Sequence, residues 1–203
     1  MKRSARDFDT ISREVFAPIY PVIAERLLSW SGVREGHCLD IGSGTGMLAL
    51  ALAGQSDLSI IALDTDPEMA RIAAHRFSPL SGRIASLLGD VHRIPLRNGS
   101  IALAASRGSI YFWKDRIRAF AEVERVLAAG GVAYLGGSFG TAALRDAIFA
   151  EMRRRNPHWD EDVSRRSGTA TPDQLLAELE KSGVERFRIR KEEAGVWVEI
   201  RKP

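Results

Sequence analysis

Residues 38–46 read CLDIGSGTG and form the most informative stretch of the chain. An apolar run through Ile41 stops at three alternating glycines, Gly42, Gly44 and Gly46, and the helix-forming run MLALALA follows directly. Glycine tolerates positive φ and has no Cβ, so a ligand can approach the backbone of such a loop closely. The helix beyond it presents unpaired N–H groups at its N-terminus. The stretch therefore predicts a strand, a glycine loop and a helix that together bind a nucleotide-like molecule.

Strands and helices alternate outward from this loop. The predicted strands are 37–41, 58–64, 83–90, 101–106, 132–138, 184–190 and 196–202, the last two forming a hairpin. The first predicted helix is 12–30, interrupted by Pro18 and Pro21, and the others are 46–53, 67–76, 115–127, 141–155 and 172–181. Strand–helix repeats with short links favour an α/β fold with a mostly parallel sheet and helices on both faces. Ligands of such folds bind at the carboxyl ends of the strands, where the strand order reverses.

Composition and charge restrict the kind of protein and partner. With 203 residues, 45% of them hydrophobic, the chain fits one domain with a full core. The net charge is only +3, and the thirteen Lys and Arg residues of 145–203 stand beside twelve Asp and Glu residues. The sequence does not predict a basic face on the protein, so nucleic acid is not expected as a partner.

Cys38 is the single cysteine, and its place in the first predicted strand suits a small buried hydrophobic side chain. No cluster of Cys and His suggests a metal site. The N-terminal MKRSARDFD lacks the apolar core of a signal peptide, and no apolar run approaches the roughly 20 residues of a membrane span. We therefore expect a soluble, cytoplasmic protein without a bound metal.

The glycine spacing separates this loop from two common phosphate-binding loops. Gly46 follows Gly44 by two positions, where the dinucleotide fingerprint G-x-G-x-x-G requires three, and no lysine is near the loop as in G-K-[ST]. Asp40 stands two positions before Gly42. A carboxylate there disfavours phosphate and suits a ligand that carries an ammonium or a sulfonium.

Carboxylates also follow the next two strands. Asp64 is placed to accept hydrogen bonds from both hydroxyls of a ribose. Its other role would be to cap the next helix, for which Asp66 is better placed. Asp90 can accept from an adenine amino group while Val91 covers the ring, or it can be a solvated turn residue.

Four segments, in order and at fitting spacing, resemble the class I S-adenosylmethionine (SAM)-dependent methyltransferases. They are CLDIGSGTG, ALD at 62–64, GDVHRIPL at 89–96 and EVERVLAAGGVAYLGG at 122–137. The likeness is to the small single-domain type that is similar to the ubiquinone/menaquinone-biosynthesis C-methyltransferases. It covers about residues 35–140 and implies a Rossmann-like, doubly wound sheet of seven strands with an antiparallel last strand.

The resemblance implies a role for each matching position. The methionine end of SAM would be held by Asp40 and by the loop Gly42, Ser43, Gly44, Thr45 and Gly46. The ribose would be bound by Asp64 with Thr65, and the adenine by Asp90 with Val91. The backbone around Ser106 would line the methionine side.

The expected organisation is one domain over residues 1–203. Residues 1–34 would form an N-terminal helical cap that is similar to the acceptor-covering segment of this family, and residues 35–203 would form the core. Within the core, the polar and turn-rich segment 156–172 is the best candidate for a mobile lid.

Departures from the family pattern concern the acceptor. Relatives often have a His or an Asn-rich stretch after the fourth strand, where this chain has SRGSIYFWKD at 106–115. The asparagine-proline-proline-aromatic motif of amino-methylating enzymes and the cysteine set of arsenic methyltransferases are both absent. These absences argue against particular acceptors without naming the right one.

No residue is assigned as catalytic. His92, Tyr20 and His158 are candidate general bases, while simpler roles are a surface position for a histidine and packing against Phe16 for Tyr20. Arg107 either anchors an acidic acceptor, anchors the methionine carboxylate or lies on the surface. Three aromatic residues are expected to combine core packing with an apolar acceptor wall: Tyr111, Phe112 and Trp113.

The sequence thus predicts an enzyme that moves a methyl group from SAM to a small-molecule acceptor by in-line displacement, leaving S-adenosylhomocysteine (SAH). A non-catalytic SAM- or SAH-binding regulatory or assembly protein fits the same cofactor positions. A nicotinamide-dependent dehydrogenase is disfavoured by the glycine spacing and by Asp40. Neither the acceptor nor the oligomeric state follows from the sequence.

Overall fold

A seven-stranded sheet forms the centre of the computed structural model, which describes residues 4–203. Its strands are β1 (His37–Ile41), β2 (Ser59–Asp64), β3 (Ile84–Leu88), β4 (Ile101–Arg107), β5 (Leu127–Ser138), β6 (Phe187–Glu192) and β7 (Gly195–Arg201). They lie in the order β3-β2-β1-β4-β5-β7-β6, and β7 alone runs against the others. The predicted mostly parallel sheet with an antiparallel last strand is confirmed.

Helices cover both faces of this sheet. They are α1 (Ala5–Glu14), α2 (Ile19–Ser31), α3 (Met47–Ala53), α4 (Pro67–Phe77), α5 (Arg116–Val126), α6 (Ala142–Arg155), α7 (Trp159–Ser167) and α8 (Pro172–Lys181). One apolar cluster takes side chains from α2, α3, α4, α6 and α7, and the other takes them from α5 and α8. The arrangement is the Rossmann-like α/β fold that the sequence predicts.

The central strand β1 shows how alternation builds the two cores. Cys38 points into one cluster and Leu39 into the other, and both are fully buried. Burial raises the pKa of the Cys38 thiol well above its ordinary value, as expected for a small hydrophobic residue. On either side of β1 lie β2 and β4, so the strand order reverses between β1 and β4. A ligand crevice is expected at that point of such a sheet.

The helix predicted over 12–30 is interrupted at Pro18, as predicted, but not at Pro21. Two helices are present, because Pro18 has no N–H donor and stands at the start of α2 rather than inside a continuous helix. The first of them begins earlier than predicted, since Ser4 caps α1 and accepts from the Asp7 N–H at 3.1 Å. Pro21 is tolerated in the first turn of α2.

The segment 156–172 is less turn-rich than predicted, because it contains the helix α7. Trp159 anchors this helix: it is 3% exposed, and its ring centroid lies 6.2 Å from that of Phe16 and 5.8 Å from that of Phe149. One buried aromatic at the helix start gives no helical periodicity in the sequence. Movement of the segment as a lid stays a prediction.

Strand β5 begins at Leu127, five residues before the predicted start at 132. Gly130 and Gly131 suggested a helix end followed by a turn, whereas the chain passes from α5 directly into an irregular strand. The pairing of β4 with β5 shifts register between Ile101 and Leu103, which accommodates these glycines. No helix within residues 4–203 is long and apolar enough to cross a membrane.

Candidate functional site

The glycine loop turns back onto the end of β2. The Gly42 and Ser43 N–H groups both donate to the Leu63 carbonyl, at 2.8 and 3.0 Å. Gly42 has φ +66°, and a Cβ at this position would collide with the Ser109 side chain. Gly46 has φ +85°, and a Cβ there would enter the ring of Phe77. Both positions therefore require glycine, because the backbone has positive φ and there is no room for a Cβ atom.

Asp40 lies beneath this loop and is 1% exposed. Its Oδ2 atom accepts no hydrogen bond within residues 4–203. Burial raises the pKa of this carboxyl to about 7, while the Ala49 N–H acts in the opposite direction and the nearby charge of Asp64 adds to the increase. A buried carboxyl with an unused oxygen fits a cationic ligand, because a partner charge would restore the ionised form.

Asp64 ties the glycine loop to the end of β2. Its Oδ2 accepts from the Gly44 N–H at 2.7 Å, and its Oδ1 accepts from the Asp66 N–H at 2.9 Å. Each carboxylate oxygen retains a further lone pair for a ligand hydroxyl. Asp66 itself caps α4 by accepting from the Glu68 N–H at 2.8 Å, as predicted. Asp64 is therefore left to face the crevice together with Thr65.

His92 is engaged at both ring nitrogens. The Asp115 N–H donates to Nε2 at 3.1 Å, so Nδ1 carries the proton and donates to Asp90 Oδ1. The His92 backbone N–H donates to the same oxygen at 2.9 Å, and this bond is the largest cause of the lowered pKa of Asp90. His92 thus joins the loop after β3 to the cap of α5, and neither nitrogen is free to take a proton from an acceptor.

His92→Ala is expected to lower the free energy of unfolding by about 1 kcal/mol, since it removes two partly exposed side-chain hydrogen bonds. Urea unfolding followed by circular dichroism measures this change. His158→Ala is the matched control, because its side chain is 74% exposed and, among residues 4–203, bonds only to Glu161. A His92→Ala protein as stable as the control would contradict the structural role.

A serine pair stabilises the loop after β4. Ser106 is fully buried and its Oγ lies 2.6 Å from the Ser109 Oγ. Ser109 donates to the Ile41 carbonyl at 3.0 Å and accepts from the Trp113 Nε1–H at 3.1 Å. Ser109 therefore joins the ends of β1 and β4 beside Gly42, a role that the sequence pattern did not indicate. Its small size among aromatic residues was the one available signal.

A cleft of about 1420 Å³ crosses the carboxyl ends of β1 to β4. Its lining includes these predicted residues: Gly42, Gly44, Asp64, Thr65, Asp90, Val91, His92, Tyr20, Arg107, Tyr111, Phe112 and Trp113. A smaller cavity of about 40 Å³ shares Gly42, Tyr20 and Arg107 with the cleft and adds Asp40, Ser43 and Thr45. Gly46, Ser106 and His158 line neither space.

The N-terminal helices close one side of this cleft. The Phe8 ring of α1 lies 2.8 Å from where a Cβ of Gly44 would be. Asp9 of the same helix pairs with Arg76 of α4, and this arginine also donates to the Thr45 carbonyl. Since Arg76 bonds both to Asp9 of α1 and to the glycine loop, it holds α1 against that loop.

Comparison with known proteins agrees with this geometry. The family model described as "Methyltransferase domain" matches residues 39–135. A crystal structure from Methanococcus maripaludis, assigned to the SAM-dependent methyltransferases, is 41% identical and has a TM-score of 0.93, covering 100% of this chain and 95% of that one.

Two curated relatives are named as methyltransferases. A malonyl-[acyl-carrier protein] O-methyltransferase from Geobacter sulfurreducens is 33% identical over 74% of this chain and 54% of its own length. A ubiquinone/menaquinone biosynthesis C-methyltransferase from a Geobacter species is 36% identical over 47% of this chain and 43% of its own length. The chain thus spans about half the length of these relatives. Together with the fold, the comparisons show that the chain belongs to the class I SAM-dependent methyltransferase family.

Proposed function

We propose that this protein transfers a methyl group from SAM to a small-molecule acceptor. The observation that carries the proposal is the buried Asp40 carboxyl, whose Oδ2 has no partner within residues 4–203 and which lies beside a glycine turn. A phosphate ligand would be repelled by this group, whereas the ammonium of a methionine moiety would be stabilised by it.

The residues present fit SAM along the length of the cleft. Asp40 and the turn from 42 to 46 would hold the methionine end, and the free lone pairs of Asp64 would accept from the ribose hydroxyls, with Thr65 beside it. Asp90 and the buried side chain of Val91 would bind the adenine edge and face. The backbone near Ser106 would line the methionine side.

When bound, SAM supplies a methyl group already activated by its sulfonium. The acceptor atom would form a bond to the methyl carbon, and the electron pair of the broken carbon–sulfur bond would remain on sulfur. The chain has to align the two reactants and exclude water. Phe8 of α1, Phe16 of the α1–α2 link and Tyr20 of α2 are placed to do this, because they line the cleft that the glycine loop also lines.

A general base is not evident among the candidates. Both nitrogens of His92 are engaged, and burial raises the pKa of Tyr20 above its ordinary value, which leaves its hydroxyl protonated at neutral pH. Tyr20 is therefore better suited to donate a hydrogen bond to the acceptor. We infer that the acceptor is itself ionised or loses its proton to solvent.

Transfer is tested with purified protein, SAM carrying a radiolabelled methyl group, and pooled metabolites. Label in any pool, recovered together with SAH, would support the enzyme. Binding of SAM and SAH in calorimetry without labelling of any pool would favour a regulatory or assembly protein. Tight NAD binding without SAM binding would refute both.

Asp64→Ala is expected to weaken SAM and SAH binding about thirtyfold, or about 2 kcal/mol, because the ribose loses a charged hydrogen-bond acceptor. Titration calorimetry measures both ligands. Glu68→Ala is the control, since it removes an exposed carboxylate from the next helix.

The loop contacts of Asp64 require a second comparison, because the substitution also frees the Gly44 N–H. SAH and 2′-deoxy-SAH are titrated into both proteins. The missing hydroxyl should cost affinity in the native protein and little in Asp64→Ala. An equal penalty in the two proteins would show that Asp64 does not bind the ribose.

A further inference from the structure

Arg107 has an unusual environment at the end of β4. Its guanidinium carbon lies 5.1 Å from the ring centroid of Phe16 and 5.2 Å from that of Phe139, so it is held between two aromatic faces. Its Nε–H donates to the Ser138 carbonyl at 3.1 Å. Within residues 4–203 it forms no ion pair, and its terminal nitrogens donate to no protein acceptor. A fixed guanidinium with an open terminal edge therefore lines the cleft.

A second guanidinium lies on the same wall. Arg166 of α7 lies over the Trp159 ring, with its guanidinium carbon 5.3 Å from the centroid, and its Nε–H donates to the Asp162 carbonyl at 2.9 Å. Burial lowers the pKa of Arg107, and the positive charge of Arg166 lowers it further. The two charges are thus near each other in a cleft whose lining includes aromatic rings and also the Asp162 carboxylate beside Arg166.

SAM does not supply a surplus of negative charge. Its sulfonium and ammonium outnumber its single carboxylate, so it brings one net positive charge to the cleft. Asp40 and Asp64 suit that excess. Arg107 shares the smaller cavity with Asp40 but forms no ion pair with it or with another carboxylate within residues 4–203. A carboxylate on the second substrate would give Arg107 the ion pair that it lacks.

We propose that the methyl acceptor is a carboxylic acid with an apolar or aromatic body. Its carboxylate binds the terminal nitrogens of Arg107, in the two-bond geometry that guanidinium and carboxylate share. Its body lies against the rings of Phe16, Tyr20, Tyr111 and Trp159, which line the same cleft. This inference rests on the proposed methyl transfer.

The test uses the protein saturated with SAH and three pairs of probes that differ only in charge: phenylacetate and phenylacetamide, indole-3-acetate and indole-3-acetamide, octanoate and octanamide. Calorimetry should show at least one acid binding tenfold or more tightly than its amide. Arg107→Met should reduce that preference to threefold or less, and Arg107→Lys should retain part of it. Arg154→Met removes the same charge from an exposed position on α6 and should keep the full preference.

SAH affinity distinguishes the proposed role of Arg107 from a second one, which is to bind the carboxylate of the methionine moiety. If Arg107 holds the methionine carboxylate, Arg107→Met will weaken SAH tenfold or more and leave 5′-methylthioadenosine, which lacks that carboxylate, unchanged. That result overturns the proposal, as does a native protein that binds no acid more tightly than its amide. A native protein that binds neither SAM nor SAH would instead refute the proposed function itself.

Discussion

Asp40→Asn should give a protein that is more stable without a ligand than the native chain and that binds SAM far more weakly. The carboxyl is fully buried, and burial raises its pKa from an ordinary 3.8 to about 7. Above that pH the folded protein must keep a charge out of water with one oxygen unpaired. The neutral amide removes this cost and also removes the charge that a ligand ammonium needs.

The pH dependence of stability follows from the direction of this shift. Between about pH 4 and pH 7 the unfolded chain has lost the Asp40 proton while the folded chain retains it. Folding therefore becomes less favourable as the pH rises through this range, and the effect levels off above it. At pH 8 the ionised, buried Asp40 lowers the free energy of unfolding by roughly 4 kcal/mol. The amide introduced by Asp40→Asn would itself be imperfectly hydrogen-bonded, and we expect this to cancel about half of the gain from removing the charge. The expected gain for Asp40→Asn is about 2 kcal/mol at pH 8 and less at pH 5.

Urea unfolding at pH 5 and pH 8 measures the stability, and calorimetry measures SAM and SAH. Loss of a charged partner for the ammonium should lower both affinities about thirtyfold to a hundredfold. SAM binding to the native protein should also release a proton near pH 7, which calorimetry in buffers of different ionisation enthalpy detects. Asp57→Asn, at an exposed position, is the control. A less stable variant with normal SAM affinity would refute both roles.

The sequence predicts the sheet well because each buried strand is a short apolar run that ends at a turn signal. It also predicts Asp66 as a helix cap, since a capping side chain acts on the next few residues alone. The helix α7 could not be predicted in this way. Its polar residues give no periodicity, and its position depends on Trp159 meeting Phe16 and Phe149 from other parts of the chain.

In the candidate site, too, some features follow from position in the sequence and others depend on tertiary packing. Residues at or close to the carboxyl end of a strand, such as Asp40, Asp64 and Asp90, are found by their place in the sequence, because parallel strands bring their ends together. What else those side chains bind is a tertiary property. The engagement of His92 by Asp115, 23 residues away, and the stacking of Arg107 between Phe16 and Phe139 depend on packing that no local pattern records.

Glu199→Gln is expected to destabilise the protein by about 3 kcal/mol, because the carboxylate is buried among charges that depend on it. Its side chain is 2% exposed and accepts from Arg188 at 2.8 and 3.0 Å, from Arg201 at 2.6 Å and from Arg190. The pairing outweighs burial and holds the pKa of Glu199 at about 2. A neutral amide would leave three guanidiniums close together on β6 and β7 without a counter-charge.

The matched control is Glu151→Gln, since Glu151 also pairs with two arginines but lies on the solvent side of α6, where water screens the pairs and the loss of stability should be much smaller. The pKa of Glu199 lies below its ordinary 4.5, so its contribution to stability is complete above that pH and disappears as the pH falls towards 2. In urea unfolding the difference between native and Glu199→Gln proteins should therefore be largest at pH 7 and shrink below pH 4.5. SAH affinity should stay unchanged, because Glu199 does not line the cleft. If the variant is as stable as the native protein at pH 7, the three ion pairs of Glu199 stabilise the fold no more than the burial of its carboxylate destabilises it.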